Sequence, residues 1–144
     1  MIKTIAKILQ HKGDQVWCIS PDNTVYQALE LMAEKEVGAL VVMEGDRVVG
    51  IFSERDYARK VALHGLNSQK TMISQTMSEL RHYITPEHSV EEGLSLVTES
   101  HCRHLPVLVD DKLVGVVSIG DLVKASLAEK DFLIKELKSY IKGT

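Results

Sequence analysis

A heptapeptide pattern occurs twice in this chain and limits what it can fold into more than any other feature. Residues 50–56 read GIFSERD and residues 115–121 read GVVSIGD, in each case Gly, two apolar residues, Ser, two variable residues and Asp. Sliding the sequence against itself by 65 positions pairs Ile19 with Ile84, Pro21 with Pro86, Val25 with Val90, Leu40 with Leu105, Gly50 with Gly115, Ser53 with Ser118 and Asp56 with Asp121. No gap is needed from Val16 to Lys60, and 13 of these 45 pairs are identical. A fixed offset of this kind marks a duplicated supersecondary unit.

Each copy has the same internal pattern. VWCI and RHYI are short β-type runs closed by Ser20-Pro21 and Thr85-Pro86, where proline stops the strand. A helix follows in each copy, its apolar positions Val25, Leu29, Met32 and Ala33 or Val90, Leu94 and Val97. Asn23 or Thr24, and His88 or Ser89, stand at its start, with Thr24 and Ser89 the better caps. VGALVVME and RVVGIFS, joined by Gly-Asp, then form a hairpin, as do RHLPVLV and KLVGVVS around Asp-Asp. A second helix begins after Ser53 or Ser118, so each unit is β-α-β-β-α. The expected fold class is therefore α+β, two tandem repeats packed through their sheets with a C-terminal helical extension. A lead-in also recurs, TIAKIL before the first unit and TMISQTM before the second, with the offset shifted by two. The expected divisions are residues 1–65 for the first repeat with its lead-in helix, 66–72 for a linker after Gly65, and 73–144 for the second repeat.

The 144 residues suffice for two small packed units, with 44% apolar and 26% charged residues and a net charge of −3. That charge argues against nucleic acid as the main partner, and apolar runs such as GALVVM are too short to span a bilayer. MIKTIAKILQHKG lacks a secretory h-region and cleavage site, so a cytoplasmic location with Cys18 and Cys102 as free buried thiols is expected.

Ser-x-x-Asp before a helix has two readings. In one it is only a capping box, the Ser accepting from a helical N–H and the Asp reaching back to the Ser N–H. In the other the helix N-terminus, with its unpaired N–H groups and partial positive charge, seats a phosphate. The Ser hydroxyl then donates to the phosphate, the Asp carboxylate accepts both hydroxyls of a ribose, and strand residues clamp a purine. His101, Cys102 and His104 invite a zinc reading, but strand alternation separates them and no second cluster completes four ligands. The G-x-S-x-G elbow and the Walker lysine motif are absent, so no hydrolytic or phosphate-transfer machinery is visible.

The duplicated unit, its closing G-h-h-S-x-x-D (h apolar), the run VGALVV and the run RHLPV resemble the tandem CBS (cystathionine-β-synthase) domain pair, or Bateman module, in its stand-alone form without an attached enzyme. The resemblance spans about residues 4–135. It implies a non-enzymatic sensor that binds AMP, ATP, NAD(H) or S-adenosylmethionine in clefts between the repeats and needs no other cofactor. By matching position, Asp56 and Asp121 would hold ribose, and Ser53 and Ser118 phosphate or ribose. Gly38, Ala39, Arg103 and His104 would line the adenine and phosphate region, Ile51 and Val116 would flank the base, and the segments around Trp17 and His82 would complete each pocket. Arg55, Arg103 and His104 would neutralise a di- or triphosphate, and the unequal linings imply non-equivalent sites. A homodimer is implied as well, with a regulated protein partner; the apolar stripe Val123, Leu127, Ile134, Leu137 and Ile141 offers core and an isologous helix contact. The alternative is a ligand-free dimeric interaction scaffold.

Overall fold

The computed structural model describes residues 3–13 and 15–141. Thr4 caps helix α1 (Ile5–Lys12) by accepting from the Lys7 N–H. Then come strand β1 (Cys18–Ile19), helix α2 (Val25–Lys35) and the hairpin β2 (Ala39–Glu44) and β3 (Arg47–Ser53). Helix α3 (Glu54–Asp56) passes directly into a π-helical stretch over Tyr57–Ala62. A short helix α4 (Ile73–Thr76) and strand β4 (Ser78–Glu79) precede the second repeat. There α5 (Val90–Ser100) is followed by β5 (His104–Val109), β6 (Lys112–Ser118) and the long α6 (Ile119–Ile141). No described helix is long and apolar enough to cross a membrane.

The 65-residue offset persists in the local chemistry. Thr24 and Gln27 form a reciprocal capping box on α2, and Ser89 and Glu92 form the same box on α5. Both helices end on a left-handed residue, Glu36 (φ 55°) and His101 (φ 59°). The hairpin tips differ in kind. Gly45 alone has positive φ (62°) in the first, as a II′ turn requires, whereas Asp110 (51°) and Asp111 (65°) both do in the second, as a I′ turn requires. The expected run RHYI is not a strand of its own; Ile84 makes only an isolated parallel bridge to Val107. The inward face of α2 is Val25, Ala28 and Met32, and the expected Ala33 is exposed. Nor are the thiols buried as expected, Cys18 being exposed and Cys102 half-buried.

The chain divides into two compact units. One is built on Gln15–Arg81 and the other on the α1 region with His82–Val109 and Val114 onward; Asp110–Leu113 group with the former. The first has the sheet order β1-β2-β3-β4 and a core of Ile19, Val25, Ala28, Met32, Leu40, Val42, Phe52, Val61 and Ile73. The second has β5-β6 and a core of Ile5, Ile8, Ile84, Val90, Val97, Leu105, Val107, Val117, Leu122 and Ala125.

Sequence order therefore does not match packing order. The lead-in α1, which precedes the first repeat, belongs to the unit of the second. Ile5 N–H donates to His88 O (3.0 Å) and Ala6 N–H to Pro86 O (3.0 Å). Ile73 N–H donates to Asn23 O (2.9 Å) and Ser74 N–H to Pro21 O (3.0 Å), which places the second lead-in on the first repeat. Ile5 and Ile73 thus take matching places. They lie 68 positions apart, so the lead-in offset is shifted by three residues rather than two.

Glycine is required where backbones or helices close on a strand. A Cβ on Gly50 would lie 2.4 Å from Ser78 O, so the β3–β4 pairing needs glycine there. On Gly38 the nearest atom would be 3.7 Å away. Gly50→Ala is expected to destabilise by roughly 1–3 kcal/mol while Gly38→Ala stays within about 0.5 kcal/mol, both read by urea denaturation. Ile5→Ala is expected to cost roughly 2–5 kcal/mol. Hydrogen exchange should show the loosening in α5 and β6 rather than in α2, despite the closeness of Ile5 to α2 in sequence.

Candidate functional site

Each Ser-x-x-Asp stands where a central hairpin strand turns into a helix. In the first copy Ser53 is extended (φ −124°, ψ 168°) and its Oγ accepts from Asp56 N–H at 3.3 Å. Asp56 Oδ2 accepts from Ser53 N–H (3.0 Å) and Ser53 Oγ–H (3.1 Å). Its other oxygen, Oδ1, accepts from Ser78 Oγ–H (2.8 Å) and pairs with Lys60 Nζ (3.0 Å). Lys60 also donates to Met77 O and Ser78 Oγ. Asp56 is buried, and both its oxygens are occupied. It closes the cap and ties the helix to the segment that carries β4.

In the second copy the cap is the same and the surroundings differ. Asp121 Oδ2 accepts from Ser118 N–H (2.8 Å), and Ser118 Oγ accepts from Asp121 N–H (3.1 Å). The cation comes from α1: Lys12 Nζ lies 2.7 Å from Asp121 Oδ2 and donates to Val116 O at 2.9 Å. No described residue donates to Asp121 Oδ1, and the side chain keeps 23% exposure. Gly115 allows α1 to lie on β6, since a Cβ there would come within 2.6 Å of Leu9 Cδ2. Partial burial pushes the Asp121 carboxyl up, but the hydrogen bond and charge of Lys12 and the bonds from Ser118 outweigh it and hold the group below the usual carboxylate range.

The other candidate residues fall at matching places. Gly38 O accepts from Glu54 N–H (3.0 Å), and Arg103 O accepts from Ile119 N–H (2.9 Å), so each pins the first residue of the helix that follows the hairpin. Ala39 stands opposite Ser53 in the β2–β3 register, and Ile51 opposite Val41 and Ser78. Val116 presents its carbonyl to Lys12. Arg55 and His104 are half-buried and Arg103 is exposed. Where the first copy has Arg55, the second has the exposed Gly120, so that position carries no side chain. Lys35 Nζ sits 4.5 Å from the Trp17 ring centroid, a cation–π contact. Sequence reasoning missed Lys12, Lys60 and Ser78. Lys60 had a signal, four residues after Asp56 on one helical face. Lys12 had none, because it depends on α1 packing with the distant repeat.

A cleft of about 410 Å³ is lined by Cys18, Ile19, Ser20, Asn23, Gln27, Leu31 and Met43, with none of the candidate residues in it. Its polar groups already pair, Ser20 N–H with Asn23 Oδ1 and Asn23 Nδ2–H with Gln27 Oε1. Among the described residues no group of three or more His, Cys, Asp or Glu side chains is placed to hold a metal ion.

The Lys12–Asp121 pair has a calculable pH signature. Because the folded carboxyl sits below its unfolded value near 3.9, its contribution is fully present above that value and is lost as pH falls through the folded pKa. Lys12→Met is expected to lower stability at neutral pH by up to about 1 kcal/mol, the pair being partly exposed. The gap from the parent should close progressively below about pH 4 in thermal melts.

Comparison with known proteins agrees with this architecture. The family model for the CBS domain matches residues 5–63 and 74–128. The chain is 38% identical over 150 residues to the CBS domain-containing protein CBSX3, mitochondrial, of Arabidopsis thaliana, covering 97% of this chain and 72% of that protein. A solved structure of a protein with CBS domains from Burkholderia ambifaria MC40-6 superposes with TM-score 0.83 at 44% identity, covering 87% of this chain and 94% of that one. Hypoxic response protein 1 of Mycobacterium tuberculosis is 27% identical over 122 residues, 84% of each chain. A structure of Hypoxic Response Protein I with two coordinated zinc ions superposes with TM-score 0.72 at 26% identity, covering 84% of this chain and 97% of that one. With a duplicated β-α-β-β-α unit, a matching cap in each copy and two tandem segments fitted by one family model, this chain belongs to the CBS domain family as a tandem pair.

Proposed function

We propose that this protein is a non-catalytic regulatory module that binds an adenosine-bearing nucleotide and passes its occupancy to a partner. The observation that supports this most directly is the state of Asp121. Its Oδ2 is committed to the cap and to Lys12, while Oδ1 has no donor among the described residues and the side chain is partly exposed. An ionised carboxylate with one open oxygen accepts from a ribose hydroxyl by charge-assisted hydrogen bonds. It stands in the first turn of a 23-residue helix, whose dipole favours an anion such as a phosphate. Lys12 has three donors and, among the described residues, gives two of them, to Asp121 and Val116, so a third could reach a phosphate oxygen. Gly120 adds no side chain beside Ser118 Oγ, which a Cβ there would approach to 3.6 Å.

On this reading the copies are unequal seats. Asp56 has all its acceptor positions taken by Ser53, Ser78 and Lys60, so a ribose there must first displace one of them. The Asp121 seat fills first and the Asp56 seat weakly or not at all. A ligand shifts an equilibrium only by its differential affinity for the two states. The element in place to differ is α1, which brings Lys12 to the seat and packs Ile5 and Ile8 in the same unit's core.

Calorimetric titration with AMP, ATP, NAD(H) and S-adenosylmethionine tests the reading. At least one ligand should bind, and Asp121→Asn should weaken it by roughly 10- to 100-fold, the worth of a charge-assisted hydrogen bond. Asp56→Asn should weaken it by much less while costing more stability. No heat from any ligand, or equal affinity in the Asp121→Asn protein, would favour the ligand-free scaffold, in which both carboxylates serve only as caps.

A further inference from the structure

The turns before α2 and α5 are each held by one side chain, and that side chain differs between the copies. In the first, Asn23 Oδ1 accepts from Ser20 N–H at 3.0 Å. In the second, His88 stands at the same place, 65 positions on, and its Nδ1 accepts from Thr85 N–H at 3.0 Å. Thr85 Oγ1 also lies 2.9 Å from Nδ1. Asn23 and His88 are both half-buried. A backbone N–H can only donate, so the bond from Thr85 requires a bare Nδ1, with the ring hydrogen on Nε2.

The same turn receives the lead-in. Ile5 N–H donates to His88 O and Ala6 N–H to Pro86 O, and Val90 N–H donates to Lys3 O at 2.9 Å. The first copy repeats the set, with Ile73 on Asn23 O, Ser74 on Pro21 O and Val25 on Thr71 O. The two docks therefore differ in the chemistry of the side chain beneath them. An amide keeps its charge at every physiological pH, whereas an imidazole gains its second proton in the range of about pH 5 to 8. A proton on Nδ1 sets an N–H against the Thr85 N–H. The new N–H can turn to Thr85 Oγ1, but the backbone N–H loses its acceptor in a half-buried turn.

The charged groups on the elements around His88 are Lys3 and Lys7 from the lead-in and α1, Glu87 beside it, and Glu91 and Glu92 from the first turn of α5. Strand β5, bridged to Ile84, carries only His104. Bonds from Ser89 and, to a lesser degree, the charge of His88 hold the Glu92 carboxyl below the usual carboxylate range. Glu92 is committed to its cap and exposed, so water screens its attraction for an imidazolium, and the lost backbone bond decides the sign.

We propose that His88 is a pH-sensitive latch on α1, which seats residues 5 and 6 while Nδ1 is bare and loosens them when it is protonated. The duplicate turn built on Asn23 is the insensitive version. Docking is complete above the range where imidazole titrates and is weakened as pH falls through it. Because α1 also carries Lys12 to Asp121, His88 is a positioning residue for that carboxylate, and its bearing on a nucleotide rests on the reading proposed above. The Lys12–Asp121 pair itself is lost only below about pH 4, outside this window.

Amide hydrogen exchange of the full chain, with no nucleotide added, tests this at about pH 8 and about pH 5.5, each amide being compared with its intrinsic rate at that pH. Protection at Ile5 and Ala6 should fall by roughly 3- to 10-fold, as for the loss of one hydrogen bond, while Ile73 and Ser74 keep theirs. His88→Asn should abolish the fall, since asparagine supplies the same acceptor in the first copy. Asn23→His should confer it on Ile73 and Ser74. Equal behaviour of the two lead-ins in the parent overturns the proposal and needs no variant to be seen. A fall that persists in His88→Asn, or an Asn23→His protein whose Ile73 and Ser74 stay indifferent to pH, overturns it as well. With no ligand in the measurement, a failure here is distinct from a failure of the nucleotide reading.

Discussion

Two short stretches of backbone pairing organise this molecule. Residues 3–6 hydrogen-bond to the turn before α5, and residues 71–74 hydrogen-bond to the turn before α2. Each pairing seals the start of a helix that its own repeat leaves open, and each supplies an apolar side chain, Ile5 or Ile73, to the core beneath. These isoleucines are wholly buried, and their hydrophobic contribution is comparable to that of any strand residue in the units. A CBS repeat in this chain is therefore completed by a segment remote in sequence.

The chemical difference between the two caps follows from that arrangement. Both carboxylates close the same box on the same serine, and both have a lysine. In the first unit the lysine comes from the π-helical stretch four residues on, and Ser78 from the neighbouring segment joins it, so the group is buried and fully bonded. In the second unit the lysine arrives on α1, no serine accompanies it, and one oxygen stays open. The same Ser-x-x-Asp pattern thus gives two different electrostatic environments, set by which lead-in lies alongside.

Much of the fold was legible in the residues. The 65-residue offset, the Thr24 and Ser89 caps, both hairpins and the helix starts at Ser53 and Ser118 all rest on local patterns whose physics is short-range, and the structure has them. The errors lie where tertiary packing decides. Ala33 fits the helical period, but a small side chain at the edge of the stripe stays outside, and Ala28 takes the interior place. RHYI has β propensity, yet only Ile84 finds a strand partner. The α6 stripe reads as partly core, but the core ends at Ala125. In the candidate site the serines and aspartates could be named in advance, whereas Lys12 could not, because its partner lies more than a hundred residues away.

The crossed lead-ins also bear on how the chain is made. A ribosome releases α1 first, and its apolar face has no lodging until the turn at 86–90 has emerged. The first repeat, though complete in its own strands and α2, waits for residues 71–76 before its helix start is sealed. The first unit can therefore close once residues 15–81 have left the exit tunnel, whereas the second waits for α6, and the longer loop closure is the one that joins α1 to it. Nascent chains of intermediate length expose Ile5 and Ile8 throughout, which makes them clients for whatever chaperone meets apolar surface at the tunnel mouth.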